Sequence, residues 1–455
     1  MDFRDKNVLV CGLARSGQAA ALLLRSLGAR VTAQDLKDEA ALEAAEPEGM
    51  AALRRAGVSL YPGKDPADII SGFDLIIVSP GVPLNQPFAE RARAMNVPVI
   101  GELELAYRLC RCPVIAITGT NGKTTTTALV GEIIKREFPG AQVVGNIGTA
   151  FSEKVRELTL ADRAVAEVSS FQLESARDFA PHIAAILNIT PDHLDRHGTF
   201  ENYARIKHSI AKNQTEADFL ILNWDDKPSR AMGFERGRVV YFSRSEELEY
   251  GVFVRGGAIR AKLLWVDEDI INISELRILG AHNVENALAA VAVCVCAGVP
   301  AAEIRAGLKA FKAVEHRIEY VTTINNVAYY NDSKGTNPDA AIKSILAVPG
   351  PIALIGGGYD KHADFTEWVK LFPGRVNFLA LIGETAGAIM EACGAQGFIG
   401  YKKAATLKEA VRLCHENARP GGCVLLSPAC ASWDMFTDYE ERGRLFKEYV
   451  MELAR

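Results

Sequence analysis

The stretch VIAITGTNGKTT, residues 114–125, places a strand-like apolar run directly before a glycine-containing turn and a helix-forming segment. Glycines let backbone N–H groups curl around phosphate oxygens, and a helix N-terminus adds partial positive charge there. In such a turn, Lys123 would neutralise the β- and γ-phosphates of a nucleotide, and the Thr124 hydroxyl would bind Mg²⁺. The residues predicted to hold the nucleotide are Gly119, Thr120, Asn121, Gly122, Lys123, Thr124 and Thr125.

The match to the generic P-loop pattern is chemical and not literal, because that pattern has glycine where this chain has Ile117. A tight turn that contains Gly-Lys-Thr by chance is the alternative. The strand–loop–helix context favours the nucleotide site.

Strand–turn–helix alternation continues on both sides of this turn and predicts parallel sheets covered by helices. Further strand-like runs are 6–12, 30–34, 73–79, 164–168, 184–189, 328–330, 352–355, 378–382 and 424–427, and helix-like runs are 16–27, 124–135, 201–210 and 281–297. A length of 455 residues suggests about three domains. We therefore predict an α/β protein with a Rossmann-like N-terminal domain (1–101), a P-loop-type central ATPase domain (102–313) and a Rossmann-like C-terminal domain (314–455).

Composition excludes several classes of protein. Lys+Arg 51 and Asp+Glu 56 give a net charge of −5, and no block of like charge suggests nucleic-acid binding. Hydrophobic content of 49% excludes a disordered chain. The longest apolar run, 287–299, is shorter than the ~18 residues that span a bilayer, and we expect a buried helix there. The nine cysteines lack C-x-x-C spacing and are predicted to be free core thiols, in keeping with a cytoplasmic location.

The first turn, Gly12-Leu13-Ala14-Arg15-Ser16-Gly17, resembles a dinucleotide fingerprint in which Ala14 replaces the second glycine. Asp35 ends the next strand, where such folds place an acid that binds ribose. The turn is compatible with a redox dinucleotide, with the diphosphate of another nucleotide, or with packing alone.

Acidic and basic residues downstream supply candidate metal and phosphate contacts. Glu167 ends a strand-like run, where its carboxylate could reach a Mg²⁺ on Thr124; a solvated surface glutamate is the alternative, which the flanking Val165 and Val168 disfavour. His193 and His197 have the i,i+4 spacing of a zinc helix but lack its glutamate, so a magnesium or substrate contact for His193 is favoured over zinc. An ordinary loop histidine is the alternative. Asn residues in 282–286 could simply cap a helix. Lys207 on its predicted helix is uninformative in isolation.

A third set of polar residues follows Arg317. The run Asn331-Asp332-Ser333-Lys334-Gly335-Thr336-Asn337 brings an acid, a cation and hydroxyls to one strand end. Cations near a P-loop suit stabilisation of charge on a transferred phosphoryl group. Residue chemistry alone thus predicts an enzyme that uses ATP for phosphoryl chemistry, with its acceptor unspecified.

The order of these motifs resembles the Mur ligase family of peptidoglycan synthesis, and most closely its D-glutamate-adding members, along nearly the whole chain. The motifs that carry the resemblance are GLARSG (12–17), SPGV (79–82), GELEL (101–105), TGTNGKTTT (118–126), EVSSFQLE (167–174), NITPDHLDRH (188–197), HNVEN (282–286), HRIE (316–319), NDSKGTN (331–337) and SPACASWDMFTDYEERG (427–443). TGTNGKT also occurs in folylpolyglutamate synthetase, whereas the motifs at 167, 331 and 427 are more specific.

The resemblance implies a ligase whose first domain binds a UDP substrate, whose second binds ATP and Mg²⁺, and whose third receives an amino acid. ATP would phosphorylate the terminal carboxylate of UDP-N-acetylmuramoyl-L-alanine, and D-glutamate would then attack the acyl phosphate. We expect a cytoplasmic monomer that binds neither nucleic acid nor membrane.

Roles carry over from the family by position. The catalytic residues are expected to be Lys123, His193, Lys207 and Lys334. Metal ligands are Thr124, Glu167, His193 and Lys207, the last if it is carbamylated as the matching lysine of the family is. Further ATP contacts are Asn283, Asn286, Arg317 and Asp332. The positions that bind the UDP substrate in the family correspond to Asp35, Leu36, Lys37, Ser79, Gly81 and Asn146. The positions that receive the amino acid correspond to Lys334, Thr336, Lys361, Ser432 and Tyr439.

Two residues depart from some relatives: Lys37 replaces an arginine and Tyr439 a phenylalanine. Four other functions compete with this interpretation. Another Mur ligase or a folylpolyglutamate synthetase would share the ATP site, although the latter opens directly on its ATP-binding domain. An NAD(P)-dependent oxidoreductase would use the first turn, and a nucleotide-binding module would lack catalysis.

Overall fold

Three sheets organise the computed structural model, which describes residues 2–146, 148–231, 237–312 and 314–453. The chain divides into two compact units. One comprises Met1–Ile273 with Glu285–Lys309, and the other comprises Ser274–Val284 with Ala310–Arg455. The first two sheets lie in the first unit and the third in the second. Three helix-covered sheets confirm the predicted α/β fold class, while the exact domain boundaries stay a prediction.

The first sheet is wholly parallel and has the order β3-β2-β1-β4-β5. Its strands are β1 (Asn7–Cys11), β2 (Arg30–Asp35), β3 (Ser59–Pro62), β4 (Leu75–Val78) and β5 (Val99–Gly101), and its helices are α1 (Arg15–Ser26), α2 (Glu39–Ala45), α3 (Pro47–Arg55), α4 (Pro87–Ala94) and α5 (Glu102–Leu109). The strand order reverses between β1 and β4. Ligands of doubly wound sheets bind at such a switch point, beyond the carboxyl ends of the strands.

The second sheet has the order β14-β13-β12-β11-β10-β9-β6-β8-β7. Its strands are β6 (Val114–Thr118), β7 (Gln142–Gly145), β8 (Ala164–Glu167), β9 (Ile183–Ile186), β10 (Phe219–Asn223), β11 (Arg238–Ser243), β12 (Gly251–Arg255), β13 (Ala258–Leu263) and β14 (Val266–Asn272). The helices are α6 (Lys123–Glu137), α7 (Phe151–Lys154), α8 (Ser170–Glu174), α9 (Leu194–His197), α10 (Phe200–His208), α11 (Lys227–Arg230), α12 (Ala281–Cys296) and α13 (Ala301–Ala310).

The antiparallel strands β12–β14 depart from the parallel sheet that the sequence predicted. The two-residue connection Gly256-Gly257 joins β12 to β13, and both glycines have positive φ (56° and 80°). Two-residue turns of this kind join only antiparallel strands, whereas parallel strands need a long crossover. The sequence analysis identified no strand between 219 and 272 and so missed this part of the sheet.

The third sheet has the order β15-β16-β20-β17-β18-β19. Its strands are β15 (Glu319–Ile324), β16 (Val327–Asn331), β17 (Ile352–Gly356), β18 (Val376–Leu381), β19 (Tyr401–Lys403) and β20 (Cys423–Leu426), and its helices are α14 (Pro338–Ala347), α15 (Thr366–Val369), α16 (Ala386–Ala395), α17 (Leu407–Asn417) and α18 (Tyr439–Leu453). The β15–β16 pair is an antiparallel hairpin and the other pairs are parallel. Short 3₁₀ turns occupy Pro66–Asp68, Ser209–Ala211 and Ile273–Glu275.

The predicted buried helix and core thiols are confirmed. Residues 287–295 of α12 are almost fully buried. All nine cysteines are free thiols, and all but the half-buried Cys110 lie in the interior. Within the described residues, no helix has both the length and the apolar character needed to cross a bilayer.

Burial of His208 at the end of α10 makes stability depend on pH. Burial lowers the pKa of this imidazole from 6.5 to about 4, so the unfolded chain binds its proton more readily between these values. The stabilising contribution is complete above pH 6.5 and is lost as pH falls towards 4, by about 3 kcal/mol in all. We expect His208→Gln to flatten the fall in thermal unfolding temperature over this range. The exposed His362 supplies the control variant His362→Gln, and equal pH profiles for all three proteins would contradict the prediction.

Candidate active site

Residues 119–122, which we call the phosphate loop after its predicted ligand, connect β6 to α6, and this strand–loop–helix order is the one that the sequence predicted. Gly119 and Gly122 have positive φ (154° and 86°), a region that favours glycine, and α6 begins immediately afterwards at Lys123. A Cβ on Gly122 would lie 2.3 Å from Oδ1 of Asn286, so the close approach also requires glycine. Lys123 Nζ donates to the carbonyls of Gly119 and Thr120, each at 2.9 Å. The loop therefore has the backbone geometry and the cation of a phosphate site.

A side-chain clamp, which the sequence analysis missed, holds this loop from the neighbouring strand. Asn188 follows β9; its Oδ1 accepts from the Asn121 N–H at 2.9 Å and its Nδ2 donates to the Asn121 carbonyl at 3.0 Å. The Thr120 hydroxyl donates to the Thr190 carbonyl and accepts from the Thr190 N–H, both at 3.0 Å. Because β9 pairs with β6 in parallel, polar residues beyond both strand ends had to meet. That pairing is a tertiary feature, which no local sequence pattern shows.

Lys207 lies inside the protein and not on the solvated face of its helix. It is 1% exposed, and Nζ donates to the Gly119 carbonyl at 2.8 Å. The ammonium also lies 4.7 Å from the Tyr203 ring centroid. Burial and the positive charge of Lys123 hold the pKa of Lys207 well below its ordinary value. This favours a neutral, nucleophilic amine beside the phosphate loop.

Glu167 ends β8 and is buried, which rules out a solvated surface carboxylate. Its Oε1 accepts from Asn146 Nδ2 at 3.0 Å, and its carbonyl accepts from the Asn146 N–H at 2.9 Å. The negative charge of Glu167 acts on the Lys207 amine. The structure thus brings the predicted metal ligand Glu167 close to the predicted substrate residue Asn146 and the predicted catalytic residue Lys207.

His193 precedes α9 in a left-handed conformation with φ of 51°. Its half-exposed ring packs edge-on against Phe171, with the centroids 4.9 Å apart, and the Arg196 guanidinium lies 4.2 Å from the same Phe171 centroid. Burial is the main cause that lowers the pKa of His193. Phe171, which the sequence analysis did not assign, therefore orients the predicted histidine.

The six residues predicted for the UDP substrate all line one cleft of about 720 Å³ at the switch point of the first sheet. They are Asp35, Leu36, Lys37, Ser79, Gly81 and Asn146. Asp35 is held by the N–H groups of Leu13 (2.7 Å) and Lys37 (3.0 Å). Gly12, Ala14, Arg15 and Ser16 bring the start of α1 to the same cleft.

Asp332, a predicted ATP contact that follows β16, is a buried carboxylate. Asp332 accepts from the Ser344 hydroxyl at 2.6 Å, the Ser427 hydroxyl at 2.8 Å and the Ile318 N–H at 3.3 Å. Burial raises the pKa of Asp332 to about 6, and the positive charge of Arg317 opposes that rise. Arg317 and Asp332 therefore lie within electrostatic reach of each other.

The residues predicted for the acceptor follow strands of the third sheet: Lys334, Thr336, Lys361 and Ser432 lie on loops, and Tyr439 begins α18. Lys334 Nζ lies 5.2 Å from the Tyr439 ring centroid, and Lys361 Nζ lies 4.8 Å from that of Trp433. Thr336 N–H donates to the Lys334 carbonyl at 2.9 Å. The Tyr359 N–H donates to the Ala431 carbonyl at 3.0 Å, which brings the loop of Lys361 to that of Ser432.

The two asparagines that open α12 make different contacts. Asn286 Oδ1 accepts from the Thr126 hydroxyl at 3.3 Å, which places it against α6 behind the phosphate loop. Asn283 Nδ2 donates to the Leu279 carbonyl at 2.7 Å. The contact of Asn286 with Thr126 is a tertiary contact, whereas the sequence analysis had kept helix capping as the alternative for these asparagines.

Comparisons with known proteins match the chain in three consecutive segments. The Mur ligase MurD-like N-terminal domain matches residues 6–101, the Mur ligase middle domain 117–294 and the Mur ligase glutamate ligase domain 316–430. The UDP-N-acetylmuramoylalanine–D-glutamate ligase of Alkaliphilus oremlandii is 48% identical, with 100% of both chains covered. The protein of the same name from Thermoanaerobacter sp. is 47% identical, again with 100% of both chains covered.

Solved structures share the fold at lower identity. The UDP-N-acetylmuramate-alanine ligase of Thermotoga maritima matches with a TM-score of 0.62 and 20% identity, covering 98% of this chain and 99% of that one. A pseudomurein peptide ligase type C from Methanothermus fervidus matches with a TM-score of 0.60 and 18% identity, covering 99% of this chain and 100% of that one.

The clamp on the phosphate loop predicts a defect in nucleotide binding. Asn188→Ala removes both side-chain hydrogen bonds to Asn121, and we expect the dissociation constant for ATP with Mg²⁺ to rise about tenfold. Isothermal titration measures this. Asn213→Ala is the matched control, because its side chain donates to the Arg177 and Phe179 carbonyls away from the loop. Equal affinities of the two variants for ATP would refute the role of the clamp.

Proposed function

The chain belongs to the Mur ligase family, and we propose that it joins D-glutamate to UDP-N-acetylmuramoyl-L-alanine with the use of ATP, in peptidoglycan precursor synthesis. The observation that carries this function is similarity of 44–48% identity over essentially the full length to ligases of that name. The match of residues 6–101 to a MurD-like N-terminal domain favours this ligase over folylpolyglutamate synthetase.

The reaction has two steps. An oxygen of the substrate's terminal carboxylate attacks the γ-phosphorus of ATP, the bond to the β-phosphate oxygen breaks, and ADP leaves. The D-glutamate nitrogen then attacks the carbonyl carbon of the acyl phosphate, loses a proton and expels inorganic phosphate as the amide forms. Both steps develop negative charge on oxygens, so cations placed in advance lower the barrier.

The phosphate loop supports the first step. Backbone N–H groups at the start of α6 and the Lys123 ammonium would bind the β- and γ-phosphates of ATP. Thr124 and Glu167 offer the hydroxyl and carboxylate oxygens that Mg²⁺ prefers, and His193 is a further candidate ligand. When bound, Mg²⁺ would neutralise charge on the phosphate oxygens. Arg317, Asp332, Asn283 and Asn286 complete the proposed ATP contacts.

Lys207 is proposed to act as a carbamate. A neutral amine can attack the carbon of CO₂ and release a proton, which converts a cation into a carboxylate-like metal ligand. Complete burial beside Lys123 supports this modification, because it disfavours a second ammonium there.

The cleft of the first sheet is proposed to hold the UDP portion of the substrate. Leu36 is apolar yet 73% exposed and offers a surface for the flat base. Lys37 and the N-terminus of α1 supply positive charge for the diphosphate, with Asp35, Ser79, Gly81 and Asn146 as polar and backbone partners.

The acceptor is proposed to bind in the second compact unit. D-glutamate carries two carboxylates, which Lys334 and Lys361 can match with two ammonium groups. Thr336, Ser432 and Tyr439 would supply hydroxyl contacts. We place the reaction in the cytoplasm and expect the enzyme to be a monomer.

Phosphate release tests the function directly. We expect release from ATP only with both UDP-N-acetylmuramoyl-L-alanine and D-glutamate present, and none when L-glutamate or L-lysine replaces D-glutamate. Release with another amino acid would keep the family and reject the acceptor. No release with any of the three would reject the proposed reaction.

Lys207→Ala is expected to reduce kcat at least a hundredfold, because it removes the proposed metal ligand. High bicarbonate should not restore activity, whereas a short carboxylic acid that fills the vacated space should do so in part. Lys212→Ala changes an exposed lysine close by and serves as the control. Full activity of Lys207→Ala would exclude the metal-ligand role.

A further inference from the structure

The motif GELEL at 101–105 has no part in the function proposed above, yet it carries two buried carboxylates. It begins at the end of β5 and forms the first turn of α5, the last helix before the second sheet. Glu102 is 1% exposed and Glu104 is fully buried. Buried carboxylates are costly unless they are hydrogen-bonded, so their partners indicate what they hold.

Glu104 binds the loop after α8. Its two oxygens accept from three consecutive backbone N–H groups, those of Arg177 (2.9 Å), Asp178 (2.9 Å) and Phe179 (3.1 Å). Arg108, one turn along α5, donates to the same carboxylate at 2.6 Å. Glu104 thereby fastens α5 to the polypeptide that follows EVSSFQLE.

Glu102 binds the start of α7. Its Oε1 accepts from the Ser152 N–H at 2.6 Å, while Oε2 is buried with no hydrogen-bond partner among the described residues. Burial raises the pKa of Glu102. Ser152, through its backbone N–H and its side chain, opposes that rise, so one residue supplies the polar compensation of Glu102.

The start of α7 is continuous with one wall of the UDP cleft. Gly145, Asn146, Gly148 and Ala150 line the cleft, and α7 follows at Phe151. The opposite wall comes from the first sheet and the start of α1. Because α5 leaves the first sheet directly from β5, the Glu102–Ser152 hydrogen bond connects the two walls.

We propose that Glu102 is a positioning residue for the UDP substrate: it fixes the wall formed by the second sheet at the distance from the first sheet that the nucleotide needs. This inference rests on the proposed function, since it takes the cleft to be the UDP site. Glu102 itself does not line the cleft. Its loss should therefore weaken UDP binding and leave the phosphate loop intact.

Two variants at this position separate hydrogen bonding from packing. Glu102→Met keeps length and volume but cannot accept a hydrogen bond, whereas Glu102→Gln keeps an acceptor oxygen. We expect Glu102→Met to raise the dissociation constant for UDP alone, measured by isothermal titration, and the KM for the UDP substrate by about tenfold. The KM for ATP should stay within about twofold, and Glu102→Gln should restore most of the affinity for UDP.

Ser152→Pro removes the same hydrogen bond from the donor side, in a first helical turn that tolerates proline, so it tests the proposal if Glu102→Met fails to fold. Gln214→Leu is the matched control. Gln214 is buried and donates to the Pro181 and Phe219 carbonyls at the opposite, amino ends of β9 and β10. It should lower the unfolding temperature without changing affinity for UDP.

The outcomes separate this inference from the proposed function. If the wild-type protein does not bind UDP, the proposed function and the inference both fail. If it binds UDP but Glu102→Met and Ser152→Pro bind it equally well, or if UDP and ATP parameters worsen together, only the positioning role fails. A selective loss for UDP, restored by Glu102→Gln, supports it.

Discussion

Two lysine side-chain nitrogens donate to a single carbonyl oxygen, that of Gly119. Lys123 reaches it from the start of α6 at 2.9 Å and Lys207 from α10 at 2.8 Å. Two positive charges that both lie within hydrogen-bond distance of one oxygen, with one of them buried, repel each other strongly unless one lysine is neutral or anions are bound. Burial and the positive charge of Lys123 lower the pKa of Lys207. The arrangement of Lys123, Lys207 and the phosphate loop depends on this electrostatic repulsion.

The phosphate loop keeps its conformation beside these two lysines because hydrogen bonds from the segment after β9 hold its backbone. Asn188 satisfies both backbone polar groups of Asn121, and the Thr190 backbone does the same for the Thr120 hydroxyl. A loop fixed in this way orients its N–H groups before any ligand arrives, which is what electrostatic stabilisation of a transition state requires. The paired parallel strands β6 and β9 are the rigid support that keeps this loop ordered.

Buried carboxylates hold other segments of the chain together. Glu104 accepts three consecutive backbone N–H groups and Glu102 accepts one. Asp332 in the other compact unit is compensated by two hydroxyls and one N–H. In each case a local acid holds a distant segment of chain, because an unsatisfied backbone N–H in the interior costs more than the bond itself gains.

The sequence by itself determined the α/β class and the strand, glycine-containing turn and helix around residues 114–137, whereas most candidate site residues were assigned from the resemblance to the family and stay predictions. Apolar runs that end in glycine and polar residues are local signals, and local chemistry suffices to interpret them. It did not reveal the antiparallel strands β12–β14. Only the tertiary structure decided that Lys207 is buried, that Asn188 clamps the loop and that GELEL joins two sheets. Burial and partner choice depend on which strands become neighbours, and strand order is set by packing over long sequence distances and not by any local pattern.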